Sequence, residues 1–105
     1  MASSKPWGQF SAADYATPAS YCSACLIDLN PSGSDKTKGN CKLPVREPGG
    51  ALNSNGVHAA AARLAGAGGG VDAPPADKAS AARKLVRLYG EIGDEVPDSI
   101  RSMAR

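Results

Sequence analysis

Hydrophobic positions recur with a helical period in two neighbouring stretches of the chain. Val57, Ala60, Ala61 and Leu64 form one stripe, with Arg63 off it. Ala81, Leu85, Leu88 and Ile92 form a second, flanked by Ala82 and Tyr89, while Arg83, Lys84, Arg87 and Glu91 fall largely outside it. The spacing predicts helices over about Asn55 to Ala65 and Pro75 to Ile92, packed through Leu64, Leu85, Leu88 and Ile92. Asn55 is the expected cap of the first helix and Asn53 the alternative, because an Asn side-chain oxygen accepts from a free amide of the opening turn. Gly66 ends that helix, and the following glycine run cannot stay helical when each interior Gly costs about 1 kcal/mol against Ala. Pro74 and Pro75 set up the second start, Asp77 favours its positive dipole end, and Gly93 closes it. Burial of Leu85, Leu88 and Ile92 contributes about 1.5–3 kcal/mol each before chain entropy is subtracted. Two helices make a thin core and need a third layer.

The residues before Asn53 supply it. Thr17-Pro18 pairs a capping residue with proline at the first helical position, which predicts a short helix to about Ala24 with Tyr21 turned inward. Cys25 to Leu29 is short, apolar and ended by Asn30-Pro31, so it reads as a strand. Cys41 to Val45 is a second extended run, since Pro44 disfavours helix at the residue before it. The two pair as a hairpin across a long polar loop. The fold class is therefore α+β, mainly helical: a short N-terminal helix, a β-hairpin, then a two-helix pair. Residues 17–100 form one compact domain. Residues 1–16 are an arm carrying Trp7 and Phe10, either docked by those aromatics or left as a loose leader. Asp98 to Arg105 is a last half-turn, with a frayed tail at 101–105.

Length and charge narrow the functional classes. At 105 residues there is one domain, and a formal net charge of +2 does not demand a nucleic-acid partner. No apolar run approaches the roughly 20 residues that span a bilayer. The opening MASSKPWGQF lacks the basic-then-apolar order of a signal peptide, so an intracellular origin is expected. Three cysteines, an odd number, argue against a disulfide framework and predict three free thiols.

The candidate chemistry centres on those cysteines. Cys22-x₂-Cys25, Cys41 and His58 are a ligand set that tetrahedral zinc accepts, but only one C-x₂-C is present and the other two ligands are far apart in sequence. The expectation is no metal and no cofactor, with these four residues as the alternative metal set. Cys25 and Cys41 then serve as small buried hydrophobes. A nucleophilic Cys–His pair needs an orienting third group that the sequence does not supply, so no catalytic residues are assigned. His58, near a helix start, is expected to be a neutral surface or packing residue. The GAGGGV run lacks the Lys-Ser/Thr of a phosphate loop, and Asp94, Glu95 and Asp98 read as solvated. Arg83, Lys84 and Arg87 make a basic helix edge, which supports DNA binding as a second reading.

The order Ala24-Cys25-Leu26-Ile27-Asp28, Cys41-Lys42-Leu43-Pro44-Val45, Asn55-Gly56-Val57-His58-Ala59-Ala60 and Lys84-Leu85-Val86-Arg87-Leu88-Tyr89 resembles a small domain of tailed bacteriophages. That domain lies C-terminal to prohead (capsid maturation) proteases and also occurs as short stand-alone actinobacteriophage proteins. The resemblance spans roughly residues 14–99 and rests on the order and spacing of the blocks; the protease part is missing. It implies a non-enzymatic phage structural or accessory protein in the virion or host cytoplasm, associated with the capsid as a decoration module or with head assembly. The implied partners are capsid or head proteins, with copies of the chain repeated on the lattice; no membrane is implied. Trp7 and Phe10 are the expected anchor, because large aromatics dominate interface energetics. The alternative is a DNA-binding or host-interaction protein using Arg83, Lys84 and Arg87.

Overall fold

A computed structural model of the chain describes residues 2–105. Its elements are α1 (Pro18–Ala24), β1 (Cys25–Asp28), β2 (Cys41–Pro44), α2 (Ser54–Leu64), α3 (Pro75–Ile92) and α4 (Asp98–Ala104). The α+β, mainly helical architecture is as the sequence predicts. Thr17 caps α1, its hydroxyl accepting from the Ser20 amide while Ser20 Oγ accepts from the Thr17 amide. The hairpin is antiparallel, with Cys25 opposite Pro44, Ile27 opposite Lys42 and Asp28 opposite Cys41.

Leu26, Ile27, Leu43 and Val45 from the hairpin side meet Val57, Ala60, Ala61 and Leu64 of α2 and Ala81, Ala82, Leu85, Leu88 and Tyr89 of α3. The alanine stripes let these layers approach closely, and Val57 and Leu85 are wholly enclosed. Ile92 is only partly buried against this core. Gly93 takes a left-handed φ of 76° and ends α3, its amide donating back to Tyr89 O.

Three expectations are corrected. The cap of α2 is Asn53, whose Oδ1 accepts from the Gly56 amide at 2.9 Å; Asn55 lies inside the helix and donates to Ser4 and Lys5 carbonyls instead. Of residues 98–105, expected as a half-turn with a frayed tail, Asp98–Ala104 form helix α4. Asp98 opens it, Pro97 precedes it, and Ile100 is completely buried on α3 and the core. The third concerns the thiols: Cys22 and Cys41 are joined as a disulfide, leaving Cys25 as the free cysteine. The last turn of α1 sets Cys22 beside the start of β2, with Cα atoms 5.3 Å apart, within the span a disulfide bridges.

The arm is docked. Ser3 pairs in parallel with Asn53, its amide donating to Leu52 O at 2.7 Å and its carbonyl accepting from Ser54 N at 2.8 Å. Asn53, with no exposed surface, holds this junction: its Nδ2 donates to Lys5 O at 3.1 Å and to Glu47 Oε2 at 2.8 Å. Hydrogen bonds from Ser3 first, and from Asn53, hold the Glu47 carboxyl below its ordinary range.

Candidate functional site

With the arm held at Ser3 and Lys5, Trp7 falls across the first turn of α2. A glycine lets it sit this close, because a Cβ at Gly56 would lie 3.0 Å from two indole carbons and the ring would have to give way. Phe10 follows with its ring centroid 5.7 Å from that of Trp7 in a tilted pair. Tyr15 and Tyr21 stack edge-on at 5.0 Å, and the buried Tyr15 hydroxyl donates to Arg46 O. These rings border two adjoining hollows that share Trp7, Tyr21 and Pro44. The larger, of about 310 Å³, continues along Leu43 and Val71 to Arg63; the smaller, of about 190 Å³, is closed by Phe10 and Tyr15. Trp7, Phe10 and Tyr21 each stay partly exposed on this face. Leu43, in its floor, has a left-handed φ of 63°, the only non-glycine residue so placed among those described. Such a conformation costs on the order of 1–3 kcal/mol and is held here by burial of the Leu43 side chain.

The basic edge of α3 is less available than its sequence implies. Arg83, Lys84 and Arg87 are all exposed, but the Lys84 ammonium donates to Leu26 O at 3.0 Å and so ties α3 to β1. Arg83 and Arg87 enter no ion pair among the described residues. Arg87 lines a separate hollow with Arg46 and Glu91, where an acidic side chain interrupts the positive field.

The alternative metal set of Cys22, Cys25, Cys41 and His58 is dispersed by the fold. Two of its thiols are consumed by the disulfide. Cys25 lies in the hollow beside Leu26, Val45 and Lys84. His58 is on the exposed side of α2, its Nε2 2.7 Å from Asp94 Oδ2 and its ring 5.6 Å from Tyr89. The same placement separates the Cys–His pair considered for nucleophilic chemistry. Burial pushes the Cys25 thiol up to about 11, with the Asp28 charge adding to the rise against the opposing effect of Tyr21. It is therefore protonated at neutral pH and a weak nucleophile. Tyr21 is pushed up to about 12, by burial first and by Cys25 next.

A polar hub beside the disulfide is absent from the sequence reading. Asn30 was legible only as the start of a turn. Its Oδ1 accepts from Thr37 N at 2.9 Å, and its Nδ2 donates to Asp28 Oδ1 at 2.8 Å and lies 3.3 Å from Cys41 Sγ. Lys36 pairs with the other oxygen of Asp28. Hydrogen bonds from Lys36, then from the amide and side chain of Asn30, bring the Asp28 carboxyl down to about 2. An Asn-Pro turn signal carries no information about which groups the Asn side chain gathers.

No protein-family model, curated protein or solved structure matches this chain. No helix among the described residues is long and apolar enough to cross a membrane.

Proposed function

We propose that this chain is a non-enzymatic structural protein of a tailed phage, acting in the virion or host cytoplasm by binding capsid or head proteins through its aromatic face. The observation that carries this reading is the clustering of Trp7, Phe10, Tyr21 and Pro44 around two adjoining hollows, each ring fixed by the fold yet partly exposed. Rigid aromatics lose little conformational freedom on binding and bury large apolar areas, which is what an interface anchor requires. Repetition on a capsid lattice then multiplies a modest single-site affinity. The resemblance of the residue blocks to a phage head-associated domain supplies the context.

DNA binding by the α3 edge is the competing reading. It is weakened by Lys84, which spends its ammonium on a backbone carbonyl, and by Glu91 beside Arg87. Because Trp7 also covers Gly56, Phe10 is the better probe of the surface. Phe10→Ala is expected to abolish co-sedimentation with capsids while leaving the unfolding free energy within about 1 kcal/mol of the parent, since the ring is only partly buried. The pair Arg83→Ala and Arg87→Ala is expected to leave it intact. Salt-sensitive DNA binding that this pair removes, with no capsid association, would replace the proposal with the competing reading.

A further inference from the structure

The surroundings of the disulfide have ligand chemistry that the bond itself does not use. Asp28 lies directly opposite Cys41 in the hairpin register, and directly opposed residues project to the same face of a strand pair. Cys22, from the last turn of α1, joins that face, so two sulfurs and a carboxylate oxygen lie within 4.8 Å of one another. We propose that in the reduced chain Cys22, Cys41 and Asp28 hold a zinc ion, so that disulfide and metal are alternative occupants of one place.

The backbone needs little change, but once the bond is reduced the two sulfurs must move apart to reach metal spacing. Donor atoms on one tetrahedral zinc lie about 3.3–3.8 Å apart, given Zn–S near 2.3 Å and Zn–O near 2.0–2.2 Å. Cys22 and Cys41 are buried and fixed by α1 and β2, whereas Asp28 is exposed and can rotate inward. Asn30 is placed to support the set from outside it, since its Nδ2 already reaches Cys41 Sγ and Asp28 Oδ1. This set is distinct from the one inferred from sequence: it omits Cys25 and His58, which the fold directs elsewhere, and adds a carboxylate that no cysteine spacing reveals.

The steps balance without an unnamed reactant. A dithiol reductant gives two electrons and two protons as its own disulfide forms and the Cys22–Cys41 bond breaks. Zinc then displaces both thiol protons to solvent, forming two Zn–S bonds and one Zn–O bond to Asp28, and water fills the fourth position. The Lys36 ammonium, now on Asp28, has to leave the oxygen that turns to the metal. It therefore competes with binding.

Anaerobic titration of the full chain with Co²⁺ tests this directly, after reduction by a dithiol that is then removed. The expected result is one cobalt per chain, with sulfur-to-cobalt charge-transfer absorption and the visible bands of tetrahedral cobalt, displaced by Zn²⁺. The oxidised chain should show none of this. Asp28→Asn should weaken binding by at least about tenfold, Lys36→Ala should tighten it, and Cys25→Ser and His58→Ala should leave it unchanged. Far-UV circular dichroism of the reduced chain with Zn²⁺ should match that of the oxidised chain. Cobalt bands in the oxidised chain, their loss in Cys25→Ser or His58→Ala, full affinity in Asp28→Asn, or a reduced chain that stays unfolded with Zn²⁺ would each overturn the proposal.

Discussion

Gly56 lies in the first turn of α2 under the Trp7 indole, and the sign of its replacement distinguishes packing from propensity. In an open helix Gly→Ala gains about 1 kcal/mol. Here the new methyl would sit 3.0 Å from the ring, so Gly56→Ala is expected to destabilise by about 1–3 kcal/mol, as overpacking does. In a Trp7→Ala background the same change should stabilise, and chemical denaturation of the four chains gives the comparison. Asp28 and Glu47 supply a second residue-scale test. Both carboxyls are held below their unfolded values, Asp28 at about 2 against 3.8. Their contribution is therefore complete above the unfolded value and is lost as pH falls through the folded one. Urea midpoints should drop between about pH 4 and about pH 2, and Asp28→Asn should flatten that drop.

At the scale of elements, local chemistry was legible wherever it was self-contained. Thr17-Pro18 and Pro75 each start a helix and Gly93 ends one, by satisfying or removing backbone groups within a few residues, and the observed bounds follow them. Helix α4 was not legible, because Ile100 and Met103 are too few to make a stripe and its stability comes from α3 and the core. Its seven residues are too short to be helical alone. Ile100→Ala should cost about 2–5 kcal/mol through the cavity it leaves, enough to release α4. Loss of only a few tenths in the denaturation midpoint would show α4 to be a passenger. The cap of α2 illustrates a finer limit. Asn53 and Asn55 are equivalent in sequence, and the choice falls to Asn53 because its other end meets Lys5 and Glu47.

Across the whole molecule, the contacts that unite the chain are those that sequence spacing conceals. An odd cysteine count argues against pairing only while the cysteines are interchangeable, and α1 and β2 make them unequal: Cys22 and Cys41 converge while Cys25 is carried to the other side of β1. The aromatic arm was visible as a feature, but its seat on α2 depends on Ser3 pairing with Asn53, 50 residues away. The radius of gyration, 13.0 Å, is that of a folded chain of about 100 residues with arm and tail drawn in. The disulfide closes a loop with a sequence separation of 19, so its reduction without metal should lower stability by about 3 kcal/mol on loop-closure grounds. That same bond makes residues 22–41 a covalent ring, and the exposed segment from Pro31 to Thr37 is its outer rim. A cut in the rim opens the ring without parting the polypeptide. A protease site placed at Gly33 should therefore yield a nicked protein that keeps its fold and runs as one species until a reductant is added, when it falls into two pieces.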